Sequence, residues 1–394
     1  MKILISGCGI AGPTLAYWLA HHGHTPVIIE YAPQLRTGGY VVDFWGRGFD
    51  VADRMGLVPR LKRTGYDIAE VRIVDARGRR VGGFDAKVFS EATDGRYTSI
   101  ARGDLAAAIY GSLGDRVETL FGDSIVAIAQ DDAGVDVAFE HAPSRRFDLV
   151  IGADGLHSNV RRLAFGEQAR FEKPLGYTVA AFETSGYRPR DELIYMGYGL
   201  PGKQVARFSM RDDATMFLFV FASDVMPADG LPDVAESRRI LHAAFDDAGW
   251  ECAQILQAME DCDTIYFDRV SQIRMDAWSS GRVALVGDAA ACPSLLAGEG
   301  SALAMTEAYV LAGELHAADG DHRAAFAAYE RRLRAFIDGK QRDAAKFAGS
   351  FAPRTAFGLF LRNQFSKLLA IPPLARWAMR RSLSDKFVLP EYAR

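Results

Sequence analysis

The chain has 394 residues, 49% of them hydrophobic and 24% charged, with a formal net charge of −4. That is the balance of an ordinary soluble globular protein of two to three domains, and it gives no basic bias toward a nucleic-acid partner. Four scattered cysteines, Cys8, Cys252, Cys262 and Cys292, form no CxxC pair, which argues against a disulfide framework or zinc site and for a reducing cytoplasm.

Residues 2–6 read as a short buried strand. Gly7-Cys8-Gly9-Ile10-Ala11-Gly12 follows, a pattern that permits a tight turn and close approach of backbone to a diphosphate. Pro13 suits the first turn of a helix, with Leu15, Ala16 and Leu19 as its apolar stripe and Gly23 at its end. A second strand, 26–30, closes on Glu30. That is near the spacing at which an acid reaches ribose hydroxyls and repels a 2′-phosphate, so FAD or NAD is expected in preference to NADP. The glycine loop interrupts the apolar start, which is therefore no signal peptide. No run approaches the ~18 apolar residues of a membrane span. His21, His22 and His24 are expected to be solvated beside the negative end of the helix, in preference to a metal cluster.

Residues 147–153 form another strand-like run, ending at Asp154-Gly155. Ser158 and Arg161 then open a helix, with Asp154 at a turn or cap and Arg161 toward phosphate oxygens. Short alternating stretches at 176–183, 192–198, 205–210 and 216–221, separated by turns such as Arg211-Asp212-Asp213, read as an antiparallel sheet. Tyr177, Phe182, Tyr195, Arg207, Met210, Phe217 and Phe219 are its candidate substrate-wall residues. Period-2 alternation sets Arg207 and Ser209 on one face, Phe208 and Met210 on the other. It leaves open which face meets substrate, and whether Arg207 binds an acidic ligand or makes a structural salt bridge.

A third strand, 283–286, ends at Gly287-Asp288-Ala289, and its carboxylate suits a polyol such as a ribityl chain. Pro293 and Gly298-Glu299-Gly300-Ser301 follow. Ser301 is the expected N-cap of helix 302–315, whose free N–H groups suit the N1–C2=O edge of a flavin. Glu30 and Asp288 then grip the two ends of one long dinucleotide, which points to bound FAD. In the tail, residues 344–384 contain no Asp or Glu. Lys346, Arg354, Arg362, Lys367, Arg376, Arg380 and Arg381 lie there among Phe357, Phe360, Phe365 and Trp377. Pro372-Pro373 interrupts any single helix.

In this order of motifs the chain resembles the single-component FAD-dependent aromatic hydroxylases, the para-hydroxybenzoate hydroxylase-like monooxygenases, over nearly its whole length. Arg102, in Arg102-Gly103-Asp104-Leu105, resembles the family's FAD-contacting arginine at a helix start. Arg36 with Gly38-Gly39 resembles the loop beside the flavin. Cys292-Pro293-Ser294, residues 308–315 and Gly249-Trp250-Glu251 are similar to the tetracycline-inactivating branch. Ala290 and Ala291 depart from a frequent histidine, Ser294 from a second proline, Ser301 from asparagine and Glu299 from glutamine. Glu299 is expected to face away from the flavin.

The resemblance implies an α/β architecture. A Rossmann-like FAD-binding domain takes residues 1–70, 100–170 and 279–330, and an interleaved antiparallel-sheet substrate domain takes 71–99 and 171–278. C-terminal helices, 331–394, brace both with their apolar residues buried; the alternative for the tail is peripheral membrane contact. The implied activity is an FAD-dependent, NAD(P)H-consuming monooxygenase. It hydroxylates an aromatic or polycyclic phenolic natural product, with tetracycline-type antibiotics among the candidates, through a flavin C4a-hydroperoxide formed with O2. The flavin carries the chemistry, so no catalytic triad or metal is expected. Gly38, Gly39 and Gly46 give slack beside it. A cytoplasmic monomer is expected. A non-oxygenating FAD oxidoreductase and a ligand-binding flavoprotein without turnover stay open. A flavin halogenase is less favoured, because no WxWxIP stretch occurs.

Overall fold

Ile3, Leu4 and Ile5 are wholly buried, as befits a strand covered on both faces. Their strand, Lys2–Ser6, lies inside a six-stranded sheet of order Ser279–Ser280, Val283–Leu285, Leu149–Gly152, Lys2–Ser6, Thr25–Glu30, Glu118–Phe121. All its pairings are parallel except that of the two-residue edge strand. The glycine loop, Glu30, Asp154 and Gly287-Asp288 therefore all emerge at the carboxyl ends of neighbouring strands, where such sheets open their ligand crevice. The helices Ala11–His21 and Gly300–Ala317 pack on each other beside this sheet. The computed structural model describes residues 1–36, 40–222, 230–383, 385 and 387–392.

A second sheet has seven strands, in the order Tyr266–Ile273, Glu172–Ser185, Ala214–Phe221, Lys203–Ser209, Ile194–Leu200, Glu70–Val74, Arg80–Asp85. Its pairings are antiparallel save one: Ile194–Leu200 runs parallel to Glu70–Val74. The expectation of a purely antiparallel sheet is corrected there. The 70–74 strand arrives from the other half of the chain, so no hairpin constrains its direction.

The two faces of this sheet have different neighbours. Phe182, Val205, Phe217 and Phe219 cluster with Leu241, Phe245 and Ile255, which stand on helices Val234–Phe245 and Cys252–Met259. Phe208, Met210 and Met216 cluster instead with Tyr66 and Ala101, and the Val41 N–H meets the Met216 sulfur at 3.2 Å. The second face is thus turned to the parallel-sheet half.

Helix His322–Phe351 joins both halves. Phe326, Tyr329, Leu333 and Ile337 belong to the core around the parallel sheet, while Ala348 packs with Tyr177 and Val179. Asp321 caps it, accepting from the Arg323 and Ala324 N–H groups. Helices Ala356–Leu368 and Pro372–Leu383 follow, parted at the prolines. Their apolar residues are not buried as expected: Phe357, Phe365 and Trp377 are 69%, 58% and 63% exposed. The inward positions are taken by smaller groups, among them Ser366 and Ala375.

The last described residues return to the parallel-sheet half. The Pro390 carbonyl accepts from Arg54 at 3.0 Å and from the Tyr309 hydroxyl at 2.9 Å. Tyr392 donates to Glu314 at 2.7 Å, and its ring covers Gly313, where a Cβ would lie 2.1 Å from it.

Two of the three early histidines, His22 and His24, are not solvated: the His24 Nε2 is buried without a hydrogen-bond partner, and burial lowers the His24 pKa. His22 stacks on His316 at 4.3 Å, and neither of its ring nitrogens has a hydrogen-bond partner. Loss of hydration, with the charges of His316, His21 and His24, pushes its pKa down to about 4. A histidine depressed in the fold takes up its proton more readily when unfolded, so its contribution is intact above about 6.5 and is lost as pH falls toward 4. Relative to the parent, His22→Phe is expected to gain melting temperature as pH falls from 7 to 5, read from paired thermal melts.

Candidate functional site

Gly7 has φ +106°, and a Cβ there would lie 2.5 Å from the Ala153 carbonyl oxygen. Gly12 is as confined: its Cβ would meet the Gly7 oxygen at 2.0 Å. Glycine alone fits at both positions. Gly9 differs, because the one non-neighbouring atom within 4 Å of its Cβ position is a guanidinium nitrogen of Arg102, at 3.5 Å. Helix Ala11–His21 starts beside it, after Ile10, with no side-chain cap and no acid in its first turn. Its first N–H groups therefore lack an intrahelical partner. A bare glycine, a cation and an uncapped helix start suit a diphosphate.

Glu30 sits at the end of its strand and reaches back to this loop. Its carboxylate accepts from the Cys8 N–H at 2.7 Å and from the Ala32 N–H at 2.9 Å. Arg36 stands 3.7 Å from it with its side chain 70% exposed. Gly39 lies outside the described residues.

Asp154 accepts from the Ser158 hydroxyl and from the Val160 N–H at 3.0 Å. Ser158 in turn caps helix Asn159–Phe165. Burial raises the Asp154 carboxyl, and the Ser158 hydrogen bond opposes the rise. Arg161 departs from the expectation that it faces phosphate. It is 1% exposed, and its guanidinium donates to the carbonyls of Ala289 at 3.0 Å and Leu156 at 2.6 Å. It ties the Asp-Gly turn to the Gly-Asp turn.

The far end of the crevice is built around Asp288. Burial raises its carboxyl, opposed by the Cys292 thiol and then by Arg102. Arg102 donates its N–H to the Tyr40 carbonyl at 3.1 Å, so one residue serves the Gly9 turn, Tyr40 and Asp288. Burial pushes the Tyr40 phenol up to about 12, with Arg102 again opposing. Helix Gly300–Ala317 begins close by: a Cβ on Gly300 would lie 3.8 Å from the Asp288 carboxylate. Its start has neither a side-chain cap nor a first-turn acid. Ser301 lies within that turn and does not cap it, which corrects the expected N-cap. Glu299 pairs with Lys340 at 2.8 Å.

Ser294 has φ +124°, a value the proline ring forbids. The serine in place of a second proline thus matches the turn, and its hydroxyl accepts from the Leu296 N–H at 3.3 Å. Pro293 is buried, its carbonyl held by Gln272 at 2.8 Å. Gly298 has φ +68°. Gly46 supplies close contact and not slack, since a Cβ on it would lie 2.6 Å from the Asp385 carboxylate.

Of the sheet residues, Tyr195 and Met210 lie on the face turned to this crevice, near Tyr40 and Tyr66. Tyr177 is committed to the long helix, donating to the Ala352 carbonyl at 3.1 Å. Phe217 and Phe219 face helices 234–245 and 252–259, which corrects their placement as substrate walls. Arg207 does likewise: it is 1% exposed and bound to Glu251 at 2.7 Å and Asp191 at 2.6 Å. The structural salt bridge is its role.

Several residues escaped sequence reading. Tyr266 sets its ring 5.9 Å from Tyr40. His157 binds Asp268 at 2.9 Å, and that hydrogen bond raises the imidazole pKa. Glu307 is 1% exposed and accepts from the Gly287 N–H at 2.7 Å and the Tyr329 hydroxyl at 3.3 Å. Its signal was legible: an acid inside the apolar run of a buried helix, as Glu314 is too, needs a polar partner. His157 and Asp268 lie too far apart in sequence to suggest each other.

The donor and acceptor set fits FAD. The glycine turn with Arg102 would hold the diphosphate, Glu30 the adenosine side, Asp288 the ribityl side, and the helix start at Gly300 the flavin edge.

Burial pushes Glu307 up to about 8. A carboxyl raised in the fold keeps its proton where the unfolded chain has lost it. Its contribution is therefore full below about 4.5 and disappears as pH rises toward 8. Relative to the parent holoprotein, Glu307→Gln, which still accepts from Gly287, is expected to gain melting temperature as pH rises across that window.

A family model described as an FAD binding domain matches residues 1–338. A flavin-dependent monooxygenase from an unknown prokaryotic organism is 34% identical, covering 100% of this chain and 99% of its own. The crystal structure of tetracycline destructase Tet(51) superposes with a TM-score of 0.85 at 32% identity, over 99% of each chain. Klebsiella pneumoniae HpxO, solved with FAD and uric acid, shares the fold at 22% identity and TM-score 0.78, over 97% of this chain and 96% of that one. The chain belongs to the FAD-binding, flavin-dependent monooxygenases of the para-hydroxybenzoate hydroxylase-like group.

Proposed function

We propose that this monooxygenase consumes NAD(P)H and O2 to hydroxylate a phenolic or polycyclic natural product, with tetracycline-type compounds as the first candidates. The observation that carries the reading is the face of the seven-stranded sheet turned to the crevice. Tyr195, Phe208, Met210 and Met216 stand on it opposite Tyr40 and Tyr66. This is a broad aromatic and thioether surface suited to a flat ring system. The full-length likeness to a tetracycline destructase supports the substrate class.

Bound FAD supplies hydride acceptance and oxygen activation. The chain supplies the rest. Arg102 and the uncapped helix starts at Ala11 and Gly300 place positive potential along the cofactor. The apolar face excludes water, which protects a reactive oxygen species from loss.

NAD(P)H oxidation is expected to accelerate with at least one member of a panel of phenols and tetracyclines, with label from 18O2 in the product. Unlabelled product would make the enzyme a non-oxygenating oxidoreductase, and no acceleration by any member would favour binding without turnover. The two sheet faces predict separable mutants. Met210→Ala is expected to raise KM about tenfold, a loss of uniform substrate binding, and to cost about 2 kcal/mol of stability because the side chain is buried. Phe217→Ala is expected to cost about 3 kcal/mol of stability and leave KM alone. Steady-state kinetics and thermal melts on both variants check the assignment.

A further inference from the structure

Helices Ala356–Leu368 and Pro372–Leu383 each have a packed side and a bare side. On the packed side Ser366 lies over Gly82, where a Cβ would be 2.3 Å from its hydroxyl. Leu369 and Ala375 share a cluster with Val88. On the bare side Phe357, Leu361, Phe365 and Leu368 recur at helical spacing, exposed by 69%, 50%, 58% and 48%. The row continues beyond the prolines with Leu374 and Trp377. Isolated exposed apolar residues are ordinary, whereas a row of this size marks an interaction surface.

The charge around the row has one sign. The whole chain carries −4, yet residues 344–383 hold seven Lys and Arg and no acid. Acids from elsewhere answer three of them: Asp343 lies 3.4 Å from Lys346, Glu91 3.8 Å from Arg376 and Asp94 3.3 Å from Arg380. Arg362 turns inward to Gln204. Arg354 and Lys367 are exposed, and neither forms a salt bridge among the described residues. A second copy seated across a two-fold axis would set these cations against their own kind. Aromatic and leucine side chains flanked by cations instead complement acyl chains beneath anionic headgroups.

We propose that this face docks on the surface of an anionic phospholipid bilayer. The attachment is peripheral, since no helix among the described residues is long and apolar enough to cross a membrane. The inner side of helix 356–368 lies over strand Ile194–Leu200, where a Cβ on Gly199 would be 2.9 Å from Leu359. Docking therefore brings the bilayer beside the Gly199 end of that strand.

The test is flotation of the FAD-loaded protein with vesicles of phosphatidylglycerol and phosphatidylcholine in equal parts, against vesicles of phosphatidylcholine alone. The protein is expected to float with the first and not the second, and less as salt is raised. Lys367→Gln is expected to weaken binding about fivefold. Phe365→Ser and Trp377→Ser are each expected to weaken it about tenfold. These side chains are exposed, so flavin content and melting temperature should stay at the parent values. Three results would overturn the proposal. One is flotation with neither vesicle, and another is equal flotation with both. The third is a concentration-dependent dimer that Phe365→Ser dissolves, which would make a second copy the occupant.

Discussion

Gly7 and Ala153 come so near each other that nothing larger than a hydrogen fits between the turns that follow strands Lys2–Ser6 and Leu149–Gly152 of the parallel sheet. Gly152 extends the constraint, since a Cβ on it would lie 2.6 Å from Leu285 and 2.8 Å from Val160. Three strands are thereby drawn together at their carboxyl ends. The acids and N–H groups that follow them are brought to one crevice because the backbone beneath has no room to spread. Glu30 locks the first turn from one side, and Arg161 ties the Asp-Gly turn to the Gly-Asp turn from the other. The cofactor seat is a product of close backbone packing as much as of the side chains that line it.

The electrostatics follow from that closeness. Asp154, Asp288 and Glu307 are all raised by burial. Three ionised acids so close behind one flavin seat would repel each other and the negative charge of a reduced flavin. Arg102 meets Asp288 from the crevice side, and Glu307 sits behind the same turn with a tendency to hold its proton. The Gly287 N–H gains an acceptor without a full second charge behind Asp288.

What the sequence disclosed was local. The glycine turns, Glu30 and the Asp-Gly and Gly-Asp pairs each declare themselves within a few residues, because steric need and strand ends are short-range facts. Distant partners were hidden. Period two divided Arg207 from Met210 correctly, but only the helices 234–245 and 252–259, absent from the alternating pattern, decide which face is covered. Arg161 looked like a phosphate ligand because its carbonyl partner on Ala289 is 128 residues away. The tail misled for a related reason: composition tells that a helix has apolar residues, not whether anything packs on them. Ser301 shows the limit at the smallest scale, where a helix whose cap position falls at Glu299, two residues early, takes the serine inside its first turn.

The order of segments along the chain also governs how the molecule is made. Strand Leu149–Gly152 must wait for Val283–Leu285 to cover its edge, and five of the seven strands of the second sheet are synthesised in between. Until Val283–Leu285 has been made, the nascent chain therefore carries an open apolar strand edge, the kind that invites wrong pairings. The crevice cannot take shape before that strand arrives, and the interval of waiting is when chaperone protection matters most.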